Sequence, residues 1–306
     1  MTIDSGNLNP TTQASRPSGG SFFTSKGRYR AFFETWPPIV LIALFFIGLA
    51  IFVVATAPLI APYDFMAMDL RDRLTPPALF GGTWTHPLGT DELGRDLLSR
   101  LIISIRVSMM IAFLSTLIAG TLGITLGFLA AYFRGRVEQL IMMLIDAQAS
   151  MPFMIIALAV LAFLGNSLFL FIVLMGFYGW ERIARIARGL AIAATEQGYA
   201  TSVRDLGASP MRIYGRHILP NIASTLIVSM TLNFPEVILL ESGLSFLGLG
   251  VQPPMTSLGN MVGYGRDYIQ SAPWIMLVPS AAIVLTTLSI SIVGDWMRDR
   301  FDPTLR

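Results

Sequence analysis

The sequence predicts an all-α integral membrane protein with six transmembrane helices and both termini in the cytoplasm. Of its 306 residues, 54% are hydrophobic and 13% are charged, whereas soluble domains carry about 25% charged residues. A helix surrounded by lipid can be apolar on every side, which explains this deficit of charge. Several uncharged runs also approach the length of about 20 residues that a spanning helix needs. Finally, arginines concentrate in alternate connecting segments.

The six spans are predicted from the uncharged runs. The stretch between Asp146 and Glu181 has no charge and contains a Gly-Asn-Ser turn pattern at 165–167, so we predict a hairpin of two spans there. Pro58 and Pro62 are expected to mark the end of the first span. The other four runs, each predicted to form one span, are Ile39–Ala57, Val107–Phe133, Asn221–Leu240 and Trp274–Val293.

The placement of arginine predicts the orientation. Cytoplasmic segments of membrane proteins carry an excess of Lys and Arg. If the N-terminus is inside, the outside segments hold few basic residues: Arg71, Arg73, Arg95, Arg100, Arg106 and Arg266. Nearby acidic residues almost match them in number. The inside segments then hold the majority, namely Arg16, Lys26, Arg28, Arg30, Arg134, Arg136, Arg182, Arg185, Arg188, Arg204, Arg212, Arg216, Arg298, Arg300 and Arg306.

The remaining composition sets the domain organisation and excludes several functions. Residues 1–35 are predicted to be a disordered cytoplasmic tail, because their polar composition cannot bury a core. Residues 36–306 form one membrane domain, with an outside segment at 58–106 and a cytoplasmic loop at 181–220. The chain has no cysteine, and His86 and His217 lie far apart, so no metal site is expected. A net charge of +2 gives no indication of nucleic-acid binding.

The cytoplasmic loop contains a short amphipathic helix pattern. Tyr199, Val203 and Leu206 are spaced to share one helix face. Gly207 followed by Pro210 is a helix-stop pattern. Two interpretations stay open on these residues alone: a helix that lies on the inner leaflet, or one that docks into a partner protein.

Acidic residues within or near the predicted spans indicate functional positions. Asp146, Glu236 and Glu241 are costly to expose to lipid and should face protein or water. Such carboxylates could relay protons. Alternatively, Glu241 could bond a neighbouring helix or backbone freed near Pro235, and Glu236 could face a pathway and attract an amino group.

The outside segment carries charges at helical spacing. Asp91, Arg95, Asp96 and Arg100 lie four or five residues apart, so they are expected either to pair with one another or to form a platform that meets other proteins. Within the second span, Gly123 and the glycine four residues later are consistent with close helix packing.

The cytoplasmic loop through Pro220 resembles the EAA loop of ABC-importer permeases. Gly207, Leu219 and Pro220 occupy the positions of that pattern. The triplet itself is replaced by Thr-Ser-Val at 201–203, and His217 stands where the family has isoleucine.

Three further stretches resemble one branch of these permeases, the C-type subunit of the dipeptide/oligopeptide/nickel family. Residues 86–100 resemble its LGTDxxGRDxxSR signature, residues 244–254 its LSFLGLGxQPP stretch, and residues 294–303 its GDxxRDxxDP ending. The similarity covers about residues 36–306. One departure is Leu258, where the family usually has tryptophan, and it is expected to alter the outer mouth of the pathway.

The resemblance implies a function and an assembly. It implies the MetI-like permease fold of type I ABC importers in the bacterial inner membrane, and a non-catalytic subunit forming half of a pathway for peptides or related solutes such as nickel chelates, opines or sugars. The implied partners are a second homologous permease, two cytoplasmic ATPases and an extracytoplasmic solute-binding protein. ATP and Mg²⁺ would be bound by the ATPases, and this sequence agrees, since it has no phosphate-binding loop and its single lysine is Lys26.

The resemblance also assigns candidate residues. Contact with the ATPases falls on Tyr199, Ala200, Thr201, Ser202, Val203, Arg204, Asp205, Leu206, Gly207 and Pro220. Contact with outer partners falls on Asp91, Gly94, Arg95, Asp96 and Arg100, and the pathway or its gate on Glu236, Glu241 and Ser245. Two other classes of function fit the sequence less well. A secondary transporter would leave the cytoplasmic loop without a partner, and an intramembrane enzyme would need a nucleophile or metal-ligand motif, which the sequence lacks.

Overall fold

The computed structural model describes residues 36–197 and 206–301, and within them the protein is helical, without a β-strand. The chain divides into two units, Met1–Pro38 and Ile39–Arg306. The predicted tail falls outside the described residues. The helices are α1 (Pro38–Ile60), α2 (Leu97–Phe133), α3 (Gly135–Ser150), α4 (Phe153–Leu164), α5 (Leu168–Gly176), α6 (Trp180–Thr195), α7 (Pro210–Phe246, π-helical over Ile213–Ile218), α8 (Leu258–Gly265) and α9 (Trp274–Phe301).

Four of the described helices are long and apolar enough to cross a bilayer: α1, α2, α7 and α9. Helices α3 and α4 qualify as a fifth candidate span only when taken together, and they meet at a bend of 88°. The six predicted spans thus correspond to four or five candidates in the described residues. The difference lies in the predicted hairpin, which consists of short helices; its turn is where expected, between Leu164 and Leu168. The orientation of the termini stays a prediction.

Helix α2 begins well before the predicted boundary at Val107. Asp96 accepts a hydrogen bond from the backbone N–H of Ser99 at 2.8 Å, the geometry of a helix N-cap. Arg100 and Arg106 therefore lie inside the helix, because a charge ends an apolar run but does not end a helix. Similarly, Pro58 lies within α1, which continues to Ile60, since a proline removes only one backbone hydrogen bond close to a helix end.

Helices α2 and α6 pack with almost no side chain between them. A Cβ at Gly123 would lie 2.7 Å from the carbonyl oxygen of Trp180, and one at Gly127 would lie 2.6 Å from that of Ala184. The close packing expected from these two glycines is confirmed. It holds α6 against α2.

The hydrophobic core joins the middle of the helices. Ile111, Phe171, Ile238 and Leu244 are buried together and connect α2, α5 and α7. Leu258, at the start of α8, is 1% exposed and belongs to the same cluster. The expectation that Leu258 alters an outer mouth is therefore not supported by its place, because its side chain lies in the core.

Candidate functional site

The outside segment is built around the carboxylate of Asp91, which is fully buried. It accepts hydrogen bonds from the backbone N–H of Leu93 at 2.8 Å and of Arg95 at 2.9 Å. Arg95 Nε also donates to Asp91 at 2.7 Å, and the guanidinium of Arg100 donates to the same oxygen. We refer to Asp91, Arg95 and Arg100 as the Asp91 cluster. Mutual pairing, one of the two expectations for these residues, is found.

Asp96 and Gly94 shape the same region. Asp96 caps α2, and one of its oxygens lies 2.9 Å from His86 Nδ1. Gly94 has φ of +72° and packs on the backbone of Asp69, so this turn requires a residue without Cβ. Trp274 Nε1 donates to the carbonyl oxygen of Thr90 at 3.1 Å, which fastens the segment to the start of α9.

The burial of these side chains bears on the predicted contact with outer partners. Asp91, Asp96 and Arg100 are at most 4% exposed, so they support the segment from within. Its exposed side chains include the apolar Leu79, Phe80 and Trp84 and charged residues such as Arg71 and Arg73. Contact with another protein stays a prediction, and exposed residues such as these are the ones able to make it.

Glu241 lies in a second buried polar cluster. Ser245 Oγ donates to its Oε1 at 2.7 Å, and Ser108 Oγ donates to its Oε2 at 3.1 Å. The backbone N–H of Leu258 donates to Ser108 Oγ at 3.1 Å. Ser257 Oγ, the N-cap of α8, lies 3.4 Å from Ser245 Oγ. The carboxylate thus faces protein, as expected, and joins α2, α7 and α8.

Glu236, one and a half turns earlier on α7, has different surroundings. Arg182 Nη1 of α6 donates to its Oε1 at 2.8 Å, and Tyr178 Oη donates to its Oε2 at 3.2 Å. Both charged side chains remain accessible, Arg182 at 51% and Glu236 at 37%. They line a cavity of about 920 Å³ between α6, α7 and α9. Glu241 and Ser245 do not line it.

Asn233 lines the same cavity, one turn before Glu236. It is 2% exposed, yet neither Oδ1 nor Nδ2 has a hydrogen-bond partner among the described residues. Its amide packs on Gly179, which has φ of +83° and leaves no room for a Cβ. Sequence reasoning missed Asn233 and Arg182 as site residues; the available signal was the spacing of Asn233 to Glu236, which places both on one helix face.

The cavity borders one helix interruption, at Gly179, and a second interruption is joined to it. Helix α5 ends at Gly176 and α6 begins at Trp180, while α3 ends at Ser150 and α4 begins at Phe153. Gln148 Nε2 donates to the carbonyl oxygen of Phe177 at 3.1 Å and so joins the two interruptions. Non-helical backbone at membrane depth is tolerated only where protein or a water-filled cavity surrounds it.

Two more ion pairs fix α6 to α3. Arg185 Nη2 lies 2.8 Å from Asp146 Oδ1, and Arg188 pairs with Glu138. Asp146 therefore meets protein on one side, although its side chain is 66% exposed. Neither pair lines the cavity.

The predicted ATPase-contact helix falls mainly outside the described residues, which omit Tyr199, Ala200, Thr201, Ser202, Val203, Arg204 and Asp205. Gly207 has φ of +81°, the conformation expected of a glycine helix cap. Leu206 and Met211 beside it are 86% and 88% exposed. Pro220 lies in α7, just beyond the π-helical turn.

The sequence matches known proteins over most of its length. Residues 123–306 match the family described as "Binding-protein-dependent transport system inner membrane component". The chain is 40% identical over 265 residues to the di/tripeptide transport system permease protein DppC of Pseudomonas aeruginosa, covering 86% of this chain and 87% of that protein. It is 35% identical to the glutathione transport system permease protein GsiD of Pectobacterium atrosepticum, covering 85% of each. The oligopeptide transport system permease protein OppC of Bacillus subtilis is 32% identical, with coverages of 88% and 86%.

The fold also matches a solved structure, the MetNI methionine ABC transporter in inward-facing conformations. The TM-score is 0.54 at 21% identity, and the match covers 64% of this chain and 93% of that chain. At this identity the match shows the fold alone, which is that of a MetI-like permease.

Proposed function

The chain belongs to the family of binding-protein-dependent transport system inner membrane components, and from this premise we propose that it forms half of a translocation pathway for small peptides. It is a multi-pass permease subunit of an ABC importer in the bacterial inner membrane. The proposal of a peptide cargo is supported by the names of its relatives, which transport di/tripeptides, glutathione and oligopeptides.

The observation that carries the pathway proposal is the cavity at Glu236. Charged side chains within apolar helices are costly in lipid and normally face a partner or water. Here Arg182 and Glu236 remain 51% and 37% exposed in a cavity that this chain lines from one side. A second, homologous permease would supply the opposite wall. Glu241 and Ser245, enclosed in protein, would act on the pathway only by holding α7 in place.

We assign energy coupling to the cytoplasmic loop. Residues Tyr199–Gly207 are proposed to form the coupling helix that docks on an ATPase; the complex would hold two ATPase subunits, which bind ATP and Mg²⁺. Two observations support this: Leu206 and Met211 are exposed apolar side chains at the end of the loop, and Gly207 has the conformation of a helix cap. Pro220 would then begin the straight part of α7 that carries the motion inward to the cavity.

The outside segment is assigned to the extracytoplasmic solute-binding protein and the second permease. The Asp91 cluster would hold the segment rigid, with Gly94 and Asp96 fixing its turn and its junction with α2. The contact itself would be made by the exposed Leu79, Phe80 and Trp84.

Purification in mild detergent tests the assembly. A tagged chain should bring with it a homologous permease and ATPase subunits, identified by mass spectrometry. A chain that purifies alone and supports proton-driven uptake would contradict the proposal.

The substitution Gly207→Leu tests the coupling. Because φ is +81°, a side chain there strains the cap. The variant should insert and assemble, but peptide uptake per ATP hydrolysed should fall about tenfold, the size given by a coupling energy of 1–3 kcal/mol. Gly48→Leu, on the exposed face of α1 with no atom within 4 Å of its Cβ, is the control. Normal uptake in Gly207→Leu would refute the coupling role.

A further inference from the structure

The charged side chains that line the cavity between α6, α7 and α9 are Arg182, Glu236, Asp295 and Arg298, and the first two touch each other. Arg182 Nη1 donates to Glu236 Oε1 at 2.8 Å. A guanidinium carries five N–H donors, and a carboxylate can accept several hydrogen bonds. The single Arg182–Glu236 bond therefore leaves capacity on both sides for a ligand that brings its own charges.

Asn233 supplies an independent sign of a ligand. Its amide is 2% exposed, lines the cavity, and has no hydrogen-bond partner for Oδ1 or Nδ2 among the described residues. Buried polar atoms are nearly always paired with protein, ordered water or ligand. An amide both donates and accepts, so it suits the peptide group of a small peptide.

The start of α6 adds a positive partial charge to the same wall. Its first residue, Trp180, follows Gly179, which lines the cavity in a left-handed conformation. The N-terminus of a helix favours negative charge through its unpaired N–H groups and the helix dipole. Arg182, in the first turn of α6, reinforces that preference. Glu236 on α7, whose Oε1 lies 2.8 Å from Arg182 Nη1, favours positive charge.

We propose that this cavity binds the two ends of a zwitterionic peptide, with the carboxylate at Arg182 and the start of α6, the ammonium at Glu236, and the peptide group at Asn233. This inference rests on the proposed function and names the residues that hold the cargo in the pathway. The volume of about 920 Å³ is within the range of about 300–1,000 Å³ for small-molecule sites.

A purely structural role for the pair makes a different prediction, which the chain itself allows us to test. Arg185 and Asp146 form a pair of the same length, 2.8 Å, between α6 and α3, and they do not line the cavity. They provide the matched control. In addition, exchanging the two charges separates the two roles: Arg182→Glu with Glu236→Arg keeps an ion pair but reverses its direction toward the ligand.

The test uses the complete importer in proteoliposomes with its own binding protein, and radiolabelled dialanine as the probe. Glu236→Gln and Arg182→Gln should each lower uptake by about tenfold or more, since hydrogen bonds to charged groups are the strong ones. ATP hydrolysis stimulated by the loaded binding protein should stay within about twofold of wild type, because ligand delivery precedes this site. The double exchange should remain as slow as the single variants, and Asn233→Leu should also reduce uptake. Arg185→Gln should transport normally.

Two results would overturn the inference. If the double exchange restores dialanine uptake, the pair only holds α6 against α7. If Glu236→Gln transports at the wild-type rate, the cavity does not hold the ammonium group. Absence of dialanine uptake by the wild-type importer would instead contradict the peptide cargo of the proposed function, and the inference with it.

Discussion

Glu241 on α7 and Ser108 on α2 are joined by a buried hydrogen bond of 3.1 Å, although they are 133 residues apart in the sequence. Ser108 also accepts from the backbone N–H of Leu258, so its hydroxyl group connects the carboxylate to the start of α8. Glu236, five residues before Glu241, is accessible from the cavity instead. Replacing each of these two carboxylates of α7 by glutamine should therefore have different effects: on uptake at Glu236, and on stability at Glu241.

Glu241→Gln should destabilise the protein without slowing transport by the molecules that remain assembled. An amide brings two N–H donors where the site offers hydroxyl donors, so buried groups lose partners at a cost of about 1–3 kcal/mol. Thermal unfolding in detergent, measured beside uptake per assembled complex, checks this. Loss of uptake at unchanged stability would show instead that Glu241 is part of a gate.

Asp91→Asn should be one of the most damaging substitutions in the outside segment. It leaves Arg100, which is 4% exposed, without its carboxylate, and breaking a buried pair costs about 3–5 kcal/mol. The midpoint of unfolding should fall accordingly. Asp267→Asn is the control, since its pair with Arg266 is exposed on both sides and such pairs contribute about 0–1 kcal/mol. Equal effects of the two substitutions would argue against the structural role of the Asp91 cluster.

Gly127→Ala should loosen the packing of α2 on α6. The added Cβ would lie 2.6 Å from the carbonyl oxygen of Ala184, and forcing an extra group into packed space costs about 1–3 kcal/mol. Gly189→Ala, on α6, meets no atom within 4 Å and should stabilise by about 0.5–1 kcal/mol, because glycine is the poorer helix former. Unfolding midpoints of the two variants should move in opposite directions. Equal shifts would mean that the helices are not in contact there.

The predicted orientation can be tested with single cysteines, because the chain has none of its own. Leu79→Cys and Met211→Cys replace side chains that are 83% and 88% exposed. A membrane-impermeant maleimide should label Leu79→Cys in intact cells and Met211→Cys only after permeabilisation. The reverse pattern would invert the topology.

The apolar runs located the four long candidate spans, but not their ends, and they predicted two spans where the structure has short helices. The run starting at Val107 predicts the second span, whereas α2 starts at Leu97, ten residues earlier, where the backbone N–H of Ser99 donates a hydrogen bond to the Asp96 carboxylate. Hydrophobicity measures transfer into lipid, and a helix end depends on which group caps it. The turn at 165–167 was predicted correctly because Gly-Asn-Ser is a local signal.

The candidate site was predictable only in part, for a physical reason. Glu236 stood out because a carboxylate in an apolar segment is costly wherever it lies. Arg182, by contrast, is one of many arginines in the predicted cytoplasmic segments, and nothing in the sequence distinguishes it from the others. Its partner Glu236 lies 54 residues away in the sequence. The interruption at Phe177–Gly179 also depends on a distant side chain, since Gly179 accommodates Asn233. Contacts of this kind leave no local pattern.

The Asp91 cluster also limits how this protein can diverge. One carboxylate serves two guanidinium groups, so replacing Asp91 removes the carboxylate partner of Arg100 and one of the two carboxylate partners of Arg95. Leu79, Phe80 and Trp84 are bound by no such dependence, because their side chains project from the surface. In the outside segment, the Asp91 cluster should therefore tolerate few substitutions, whereas the exposed apolar residues can be replaced. A new external partner could be accommodated by substitutions at these exposed positions while the Asp91 cluster stays unchanged.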